Sequence, residues 1–179
     1  MKTALLIIDV QRALCEGEYA AFDIEGVIDR INLVSRKARD ADLPVVVIQH
    51  EESGGPLEQG SDAWQLARGL AVEPTDILVR KKTPDAFHQT ELGPVLQSLG
   101  VTGLIVCGLQ SEYCVDSTTR GALARGYPVT LVADAHTTLD NEVISAAQIS
   151  AHHNTTLSRM DSYGARVTLA KAGELRVEA

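Results

Sequence analysis

Five short apolar runs, most of them followed by a stretch with helical spacing, constrain the fold of this 179-residue chain more than any other feature. The runs are residues 4–8, 45–48, 77–79, 104–107 and 129–133, and a sixth strand is predicted within 165–169. Short continuous aliphatic runs are typical of strands buried on both faces of a parallel sheet. Helices are predicted between them at 24–38, 91–99, 112–125 and 142–152, with Asp23 as the expected cap of the first and Asp140 or Asn141 as that of the last. We expect one α/β domain over residues 1–179, with a mostly parallel sheet of six strands.

Net charge, the length of the apolar runs and the cysteine spacing exclude several classes of binding partner and site. The formal net charge is −8, which argues against nucleic acid or an anionic membrane surface as the main partner. No run of 18 apolar residues is present, so we expect no membrane-spanning helix. The three cysteines have no regular spacing and therefore predict neither a disulfide framework nor a zinc site. A reducing, cytoplasmic location is the expectation.

The segment 103–126 places a cysteine at a position where its sulfur could be activated. A buried strand is followed by a turn, by Ser111 as the expected N-cap, and by a helix over 112–125 with Cys114 in its first turn. The start of a helix together with a nearby cation can lower the pKa of a thiol from about 8.5 by one or more units. The layout is therefore suited to a sulfur nucleophile, and a small buried apolar cysteine is the alternative.

Residues able to do chemistry follow the ends of five predicted strands: Asp9, His50, Lys81, Cys114 and His136. Each has an ordinary explanation by itself, such as a loop cap or a solvated charge. Open α/β sheets, however, bind ligands at the carboxyl ends of their strands, at the topological switch point. We therefore expect an acid, a cation and a thiol to meet at one edge of the sheet.

Several stretches of the sequence resemble the isochorismatase-like cysteine hydrolases, which include nicotinamidases, carbamoylsarcosine amidases and streptothricin-type amide hydrolases. The matching stretches are residues 5–11, 81–92, 107–115, 119–122, 126–129 and 134–135. Their order and spacing carry the resemblance, which spans roughly residues 3–155. It implies a three-layer, doubly wound fold of the Rossmann type.

The resemblance also implies a catalytic triad of Asp9, Lys81 and Cys114. Two lysines are adjacent, and the motif selects Lys81 because it lies six residues before Phe87; Lys82 is the alternative. The alternation of side chains along a strand agrees, since only one of two neighbours can face the crevice.

In the resembled family the peptide bond four residues before the cysteine is cis, which here is the bond between Leu109 and Gln110. The resemblance implies that the backbone N–H groups of Gln110 and Cys114 form an oxyanion hole. One such donor is worth roughly a hundredfold to a thousandfold in rate.

The nucleophilic cysteine favours the amidase branch, because true isochorismatases lack it. Nicotinamidases bind a metal after the second strand through an Asp and several His. Here that region has His50 and two glutamates but no second histidine before His88, so a metal site and a nicotinamidase are disfavoured. We expect no metal and no cofactor. The candidates for shaping the substrate pocket are His50, Trp64, Phe87 and His136.

The sequence thus predicts a cysteine-dependent hydrolase of a small-molecule amide or related C–N bond. The alternatives are hydrolysis of a non-amide bond, such as a vinyl ether, and a catalytically silent binding paralogue. Residues 51–63 form a long irregular loop ending at Trp64, which we expect to be a lid or a subunit contact. Together with the resemblance, this loop predicts a homo-oligomer, either a dimer or a tetramer.

Overall fold

The structure is a computed structural model and describes residues 2–177. Its centre is a single six-stranded sheet in which all neighbouring strands run parallel. The strands are β1 (Thr3–Ile8), β2 (Val45–His50), β3 (Ile77–Lys81), β4 (Gly103–Leu109), β5 (Val129–Thr137) and β6 (Val167–Ala170). Their order across the sheet is β3-β2-β1-β4-β5-β6. The predicted α/β fold is confirmed, and the order reverses direction between β1 and β4, where such sheets place their ligand crevice.

Helices cover both faces of the sheet. They are α1 (Arg12–Cys15), α2 (Ile24–Asp40), α3 (Leu92–Ser98), a π-helix (Ser111–Val115), α4 (Asp116–Ala124) and α5 (Ala146–Ser158). On one face, Leu5 and Ile7 of β1 pack in a cluster with Ile31 of α2. On the other face, Leu6 and Ile8 of β1 pack in a second cluster with residues of α3, α4 and α5. The alternation of side chains along β1 thus produces the three layers.

The capping of the helices differs from the sequence predictions, although α2 begins at residue 24 as expected. Asp23 precedes α2 but makes no capping hydrogen bond, because it adopts a left-handed conformation and its carboxylate pairs with Arg30 instead. The predicted helix at 142–152 begins only at residue 146. There Ser145 accepts a hydrogen bond from the backbone N–H of Gln148, whose side chain bonds back to form a capping box. Asp140 and Asn141 instead hold the turn that leads into this helix.

Gly108 allows β4 to approach the end of β1 closely. Its φ is 121°, and a Cβ built at this position would lie 2.1 Å from the carbonyl oxygen of Ile8. A larger residue would therefore both strain the backbone and separate the two strands. The close contact holds the turn after β4 against the residue that follows β1, which is Asp9.

The long loop after β2 is anchored beside the end of β1. Residues 51–63 consist of turns and bends with one isolated bridge between Glu52 and Glu58. Residues 63–67 then bond through the backbone to residues 10–13, with N···O distances between 2.8 and 3.0 Å. This pairing holds Trp64 beside the segment that carries Asp9. None of the helices within residues 2–177 has both the length and the apolar character needed to cross a bilayer.

Candidate active site

Asp9, Lys81 and Cys114 meet at the switch point between β1 and β4. The Nζ atom of Lys81 lies 2.6 Å from Oδ2 of Asp9 and 3.1 Å from Sγ of Cys114. Asp9 and Lys81 are 1% and 2% exposed, so water screens their attraction little. Asp9 has a φ of 50°, a left-handed conformation that aspartate tolerates better than most residues. The structure therefore brings together the acid, the cation and the thiol that the sequence indicated.

The two adjacent lysines have different environments. The side chain of Lys81 points into the cluster, whereas that of Lys82 is 76% exposed and lies 3.9 Å from Glu51. Successive side chains of a strand point to opposite sides, and β3 ends at Lys81. The cation of the cluster is Lys81.

Burial keeps the Cys114 thiol protonated in the free protein. Loss of solvent, reinforced by the Asp9 carboxylate, raises the pKa of Cys114 to about 12, against the opposing effect of the Lys81 ammonium. This is opposite to the direction expected from the sequence, because the local pattern shows the helix and the cation but not the burial. Oδ1 of Asp9 is buried and makes no hydrogen bond within residues 2–177. The carboxylate can therefore receive the thiol proton when the sulfur attacks.

His50 is a fourth member of the cluster. Its Nδ1 lies 3.0 Å from Nζ of Lys81. Burial lowers the pKa of His50, and the Lys81 ammonium lowers it further, so the ring is neutral. An ammonium can only donate, so Nδ1 is the acceptor and Nε2 carries the hydrogen. Nε2 has no hydrogen-bond partner in the described part of the chain, which leaves it free to donate to a ligand.

Asp9, His50 and Cys114 also form a potential metal-ligand set, with their ligand atoms within 4.8 Å of one another. The Nζ atom of Lys81, however, lies within 3.1 Å of an atom from each of the three. The ammonium thus occupies the position that a metal ion would take. The donor set is satisfied by this cation.

Gln11 positions His50, a role that the sequence reasoning did not assign. Its Oε1 accepts the backbone N–H of His50 at 2.8 Å, and its Nε2 donates to the carbonyl oxygens of His50 and Trp64 at 3.0 and 2.8 Å. Gln49 donates to the same carbonyl of Trp64 at 3.2 Å. These bonds tie the end of β2 and the long loop to the segment after Asp9. The available signal was the place of Gln11 two residues after Asp9, within the stretch that carried the resemblance.

The turn that carries Cys114 differs from an ordinary helix start. The peptide bond between Leu109 and Gln110 is cis, as the resemblance implied. Ser111 begins the π-helix and makes no capping bond; its hydroxyl is directed at His136 instead. The carbonyl oxygen of Gln110 accepts the N–H of Val115 at 3.1 Å, which closes the wide turn around Cys114.

Trp64, Phe87 and His136 lie in three different environments. Trp64 is half-buried beside the cluster, through the carbonyl contacts with Gln11. Phe87 is in the core, stacked on Tyr127 at 6.0 Å and covered by the Arg125 guanidinium at 4.7 Å. His136 is buried against Ser111 rather than against Lys81 or Asp9. The structure therefore brings Trp64 to the cluster but not Phe87, and connects His136 to it through the turn.

Comparison with known proteins decides the family. The model of the isochorismatase domain matches residues 3–172. The chain belongs to the isochorismatase family. A crystal structure of an isochorismatase family protein superposes with a TM-score of 0.87 at 34% identity, covering 95% of this chain and 98% of the other.

Two relatives of this isochorismatase-family protein have names that state an activity. A streptothricin hydrolase from Streptomyces noursei is 39% identical over 138 residues, which are 76% of this chain and 50% of the relative. The ureidoacrylate amidohydrolase RutB from Methylobacterium radiotolerans is 32% identical over 170 residues, covering 74% of this chain and 66% of the relative. The chain spans about half the length of the streptothricin hydrolases it matches.

Proposed function

We propose that this isochorismatase-family protein is a cysteine-dependent hydrolase of small-molecule amides or related C–N bonds. The observation that carries the proposal is the buried cluster of Asp9, Lys81 and Cys114, with Nζ of Lys81 in contact with both partners. The names of the two relatives add support: one is an amidohydrolase of ureidoacrylate and the other a hydrolase of streptothricin. No cofactor is required by the chemistry below.

The first half of the reaction transfers the acyl group to the sulfur. Asp9 takes the thiol proton of Cys114 as Sγ attacks the substrate carbonyl, and Lys81 stabilises the carboxylate and the developing thiolate. The carbonyl oxygen becomes an oxyanion, for which the backbone N–H groups of Gln110 and Cys114 are the proposed donors. Collapse of this intermediate breaks the C–N bond. The protonated Asp9 returns its proton to the departing amine, and a thioester remains on Cys114.

The second half releases the acid and restores the enzyme. Asp9, again a carboxylate, removes a proton from a water molecule that attacks the thioester carbonyl. The C–S bond then breaks, and the proton held by Asp9 returns to Sγ of Cys114. The Nε2–H of His50 adjoins the same crevice and supplies a neutral donor for a polar group of the substrate. The amine departs with the original thiol proton, and the attacking water supplies the proton that restores the thiol of Cys114.

The proposed partners are a small-molecule amide and other copies of the same chain. We propose a dimer or a tetramer, supported by exposed large apolar side chains near the catalytic edge. Tyr113, next to the nucleophile, is 56% exposed, and Phe22, bonded through its backbone to Thr138, is also 56% exposed. A second subunit covering these groups would remove apolar surface from water and narrow access to Cys114.

A screen for ammonia or amine release tests the activity. Small primary amides and ureido compounds would be incubated with the wild-type protein and with Cys114→Ala, and mass spectrometry of acid-quenched protein would look for an acyl adduct on Cys114. The proposal expects amine release by the wild type alone, with the adduct on that residue. Equal release by both proteins would contradict it, and acid formation without amine release would indicate a non-amide bond.

A further inference from the structure

A series of buried and partly buried side-chain hydrogen bonds runs behind the turn that carries Cys114. Ser150 Oγ lies 2.9 Å from Ser111 Oγ, and Ser111 Oγ lies 2.8 Å from Nδ1 of His136. Nε2 of His136 lies 3.0 Å from Oδ1 of Asn154, whose Nδ2 donates to the carbonyl oxygen of Ala133 at 2.9 Å. The series joins β5, α5 and the first residue of the π-helix. His136 is 3% exposed and Ser111 is 0% exposed.

The donor and acceptor of each hydrogen bond in this series can be assigned by starting from the carbonyl of Ala133. The carbonyl of Ala133 can only accept, so Asn154 presents its amide nitrogen there and its oxygen to His136. Nε2 of His136 is therefore a donor. Burial lowers the pKa of His136 and keeps the ring neutral, so Nδ1 is an acceptor for the hydroxyl of Ser111. Ser111 in turn accepts from the hydroxyl of Ser150.

This series of hydrogen bonds holds the part of the backbone on which the proposed chemistry depends. Ser111 lies directly after Gln110 and opens the five-residue π-helix that contains Cys114. The π-helix is a rare turn that persists where its surroundings enforce it. The backbone hydrogen bond from the N–H of Val115 to the carbonyl of Gln110 closes the π-helix but does not link it to the sheet. The side chain of Ser111 provides a link of the turn to β5 through His136.

We infer that His136, acting through Ser111, is a positioning residue that sets the placement of Cys114 and of the Gln110 N–H. His136 touches neither the sulfur nor the substrate, so its effect is geometric. A displacement of about 1 Å at a reacting group can cost on the order of a hundredfold in rate. The inference rests on Cys114 being the nucleophile of the proposed function.

Two substitutions of His136 separate its two hydrogen bonds. The side-chain amide of asparagine reaches about as far as Nδ1 of histidine, and that of glutamine about as far as Nε2. His136→Asn therefore keeps a partner for Ser111 and loses Asn154, whereas His136→Gln keeps Asn154 and loses Ser111. Ser111→Ala removes the same link from the other side.

Thr137→Val is the matched control for these variants. Thr137 is the next residue of β5, is 2% exposed, and donates its hydroxyl to the carbonyl of Phe22 at 2.7 Å. The substitution is nearly isosteric and removes one buried hydrogen bond without touching the turn. The change in its melting temperature shows how much stability is lost when one such hydrogen bond is removed.

The two readouts are kcat and KM for an amide substrate, and the rate at which iodoacetamide alkylates Cys114. Cys15 and Cys107 are buried whereas Cys114 is partly exposed, so the label should fall first on Cys114, which peptide mapping would verify. We expect Ser111→Ala and His136→Gln to lower kcat about 10- to 100-fold with little change in KM, and to change the alkylation rate. His136→Asn should retain most of kcat and of the alkylation rate, and Thr137→Val should retain both at wild-type values.

Equal losses in His136→Asn and His136→Gln, or wild-type rates in Ser111→Ala, would overturn the inference. Alkylation requires no substrate. If no amide is hydrolysed by any variant, the proposed function has failed, while the dependence of the alkylation rate on the Ser111 link still decides the inference by itself.

Discussion

Replacing Lys81 with methionine should reduce both stability and activity, because it leaves Asp9 buried without its cation. At 2.6 Å and an effective dielectric constant of about 20, the attraction between the two charges is about 6 kcal/mol. The cost of removing both groups from water offsets much of this attraction, but loss of one partner leaves the other charge buried. We therefore expect Lys81→Met to lower the free energy of unfolding by about 3–5 kcal/mol. Methionine preserves most of the apolar stem, so little of the loss comes from packing.

The effect on catalysis should be comparable in free energy to the effect on folding. The variant loses the positive charge that contacts Sγ of Cys114 while negative charge develops on sulfur. Loss of one preorganised stabilising group typically costs a hundredfold to a thousandfold in rate, so kcat/KM should fall by about that factor. Lys82→Met is the control, because the Lys82 side chain is exposed and makes only a long ion pair. It should change the free energy of unfolding by no more than about 0.5 kcal/mol.

Urea unfolding followed by circular dichroism, with initial rates of amine release, measures both quantities. The double variant Asp9→Asn/Lys81→Met completes the test, since asparagine also tolerates the left-handed conformation at position 9. Its loss of stability should be smaller than the sum of the losses in Asp9→Asn and Lys81→Met, while activity should not be restored. Additive losses of stability, or a greater loss of activity in Lys82→Met than in Lys81→Met, would refute the reasoning.

Three further predictions concern other parts of the molecule. Cys114→Ala should unfold at nearly the wild-type urea concentration yet lose at least about a thousandfold in kcat, and retention of turnover would exclude Cys114 as the nucleophile. Burial lowers the pKa values of His50 and His136 below 6.5, so below that pH the unfolded chain binds protons that the folded chain does not. The free energy of unfolding should therefore fall between pH 6.5 and 5, by up to about 1.4 kcal/mol per pH unit for each histidine, and a flat profile would contradict this. Replacing residues 53–60 with a short Gly/Ser linker should change the sedimentation coefficient or the activity, and a variant that keeps both, with unchanged Trp64 fluorescence, would show that the loop is neither lid nor contact.

The sheet was predictable from the sequence because most of its strands contain a short aliphatic run that allows few other structures. Four of the five helix regions were anticipated, but the capping of their first turns was not. Whether Asp23 caps a helix or pairs with Arg30 depends on the position of α2 against the rest of the fold. Ser111 was expected to be a cap for the same local reason, yet its nearest polar partner, His136, lies 25 residues away along the chain.

The members of the candidate site were predictable where they depend on strand ends, as for Asp9 and Lys81. Their energetics were not. The pKa of Cys114 depends on how much protein surrounds it, a property of the packed structure and not of the neighbouring sequence. Phe87 is an aromatic residue close to Lys81 in sequence, but its ring is packed in the core because Tyr127 and Arg125 come to it from a different helix and turn.

The ammonium between Asp9, His50 and Cys114 means that the site does not depend on a bound ion for its positive charge. A carboxylate, an imidazole and a thiol are a ligand set that zinc commonly takes, and a metal in such a place must be acquired, retained and protected from chelators. Here the cation is covalently part of the chain and is present as soon as the chain folds. Exchange with the metal pool of a cell therefore cannot empty the position. Shortening the single side chain of Lys81 to alanine would leave the three ligands around an open space, which places a lysine-centred site one substitution away from a metal-binding one.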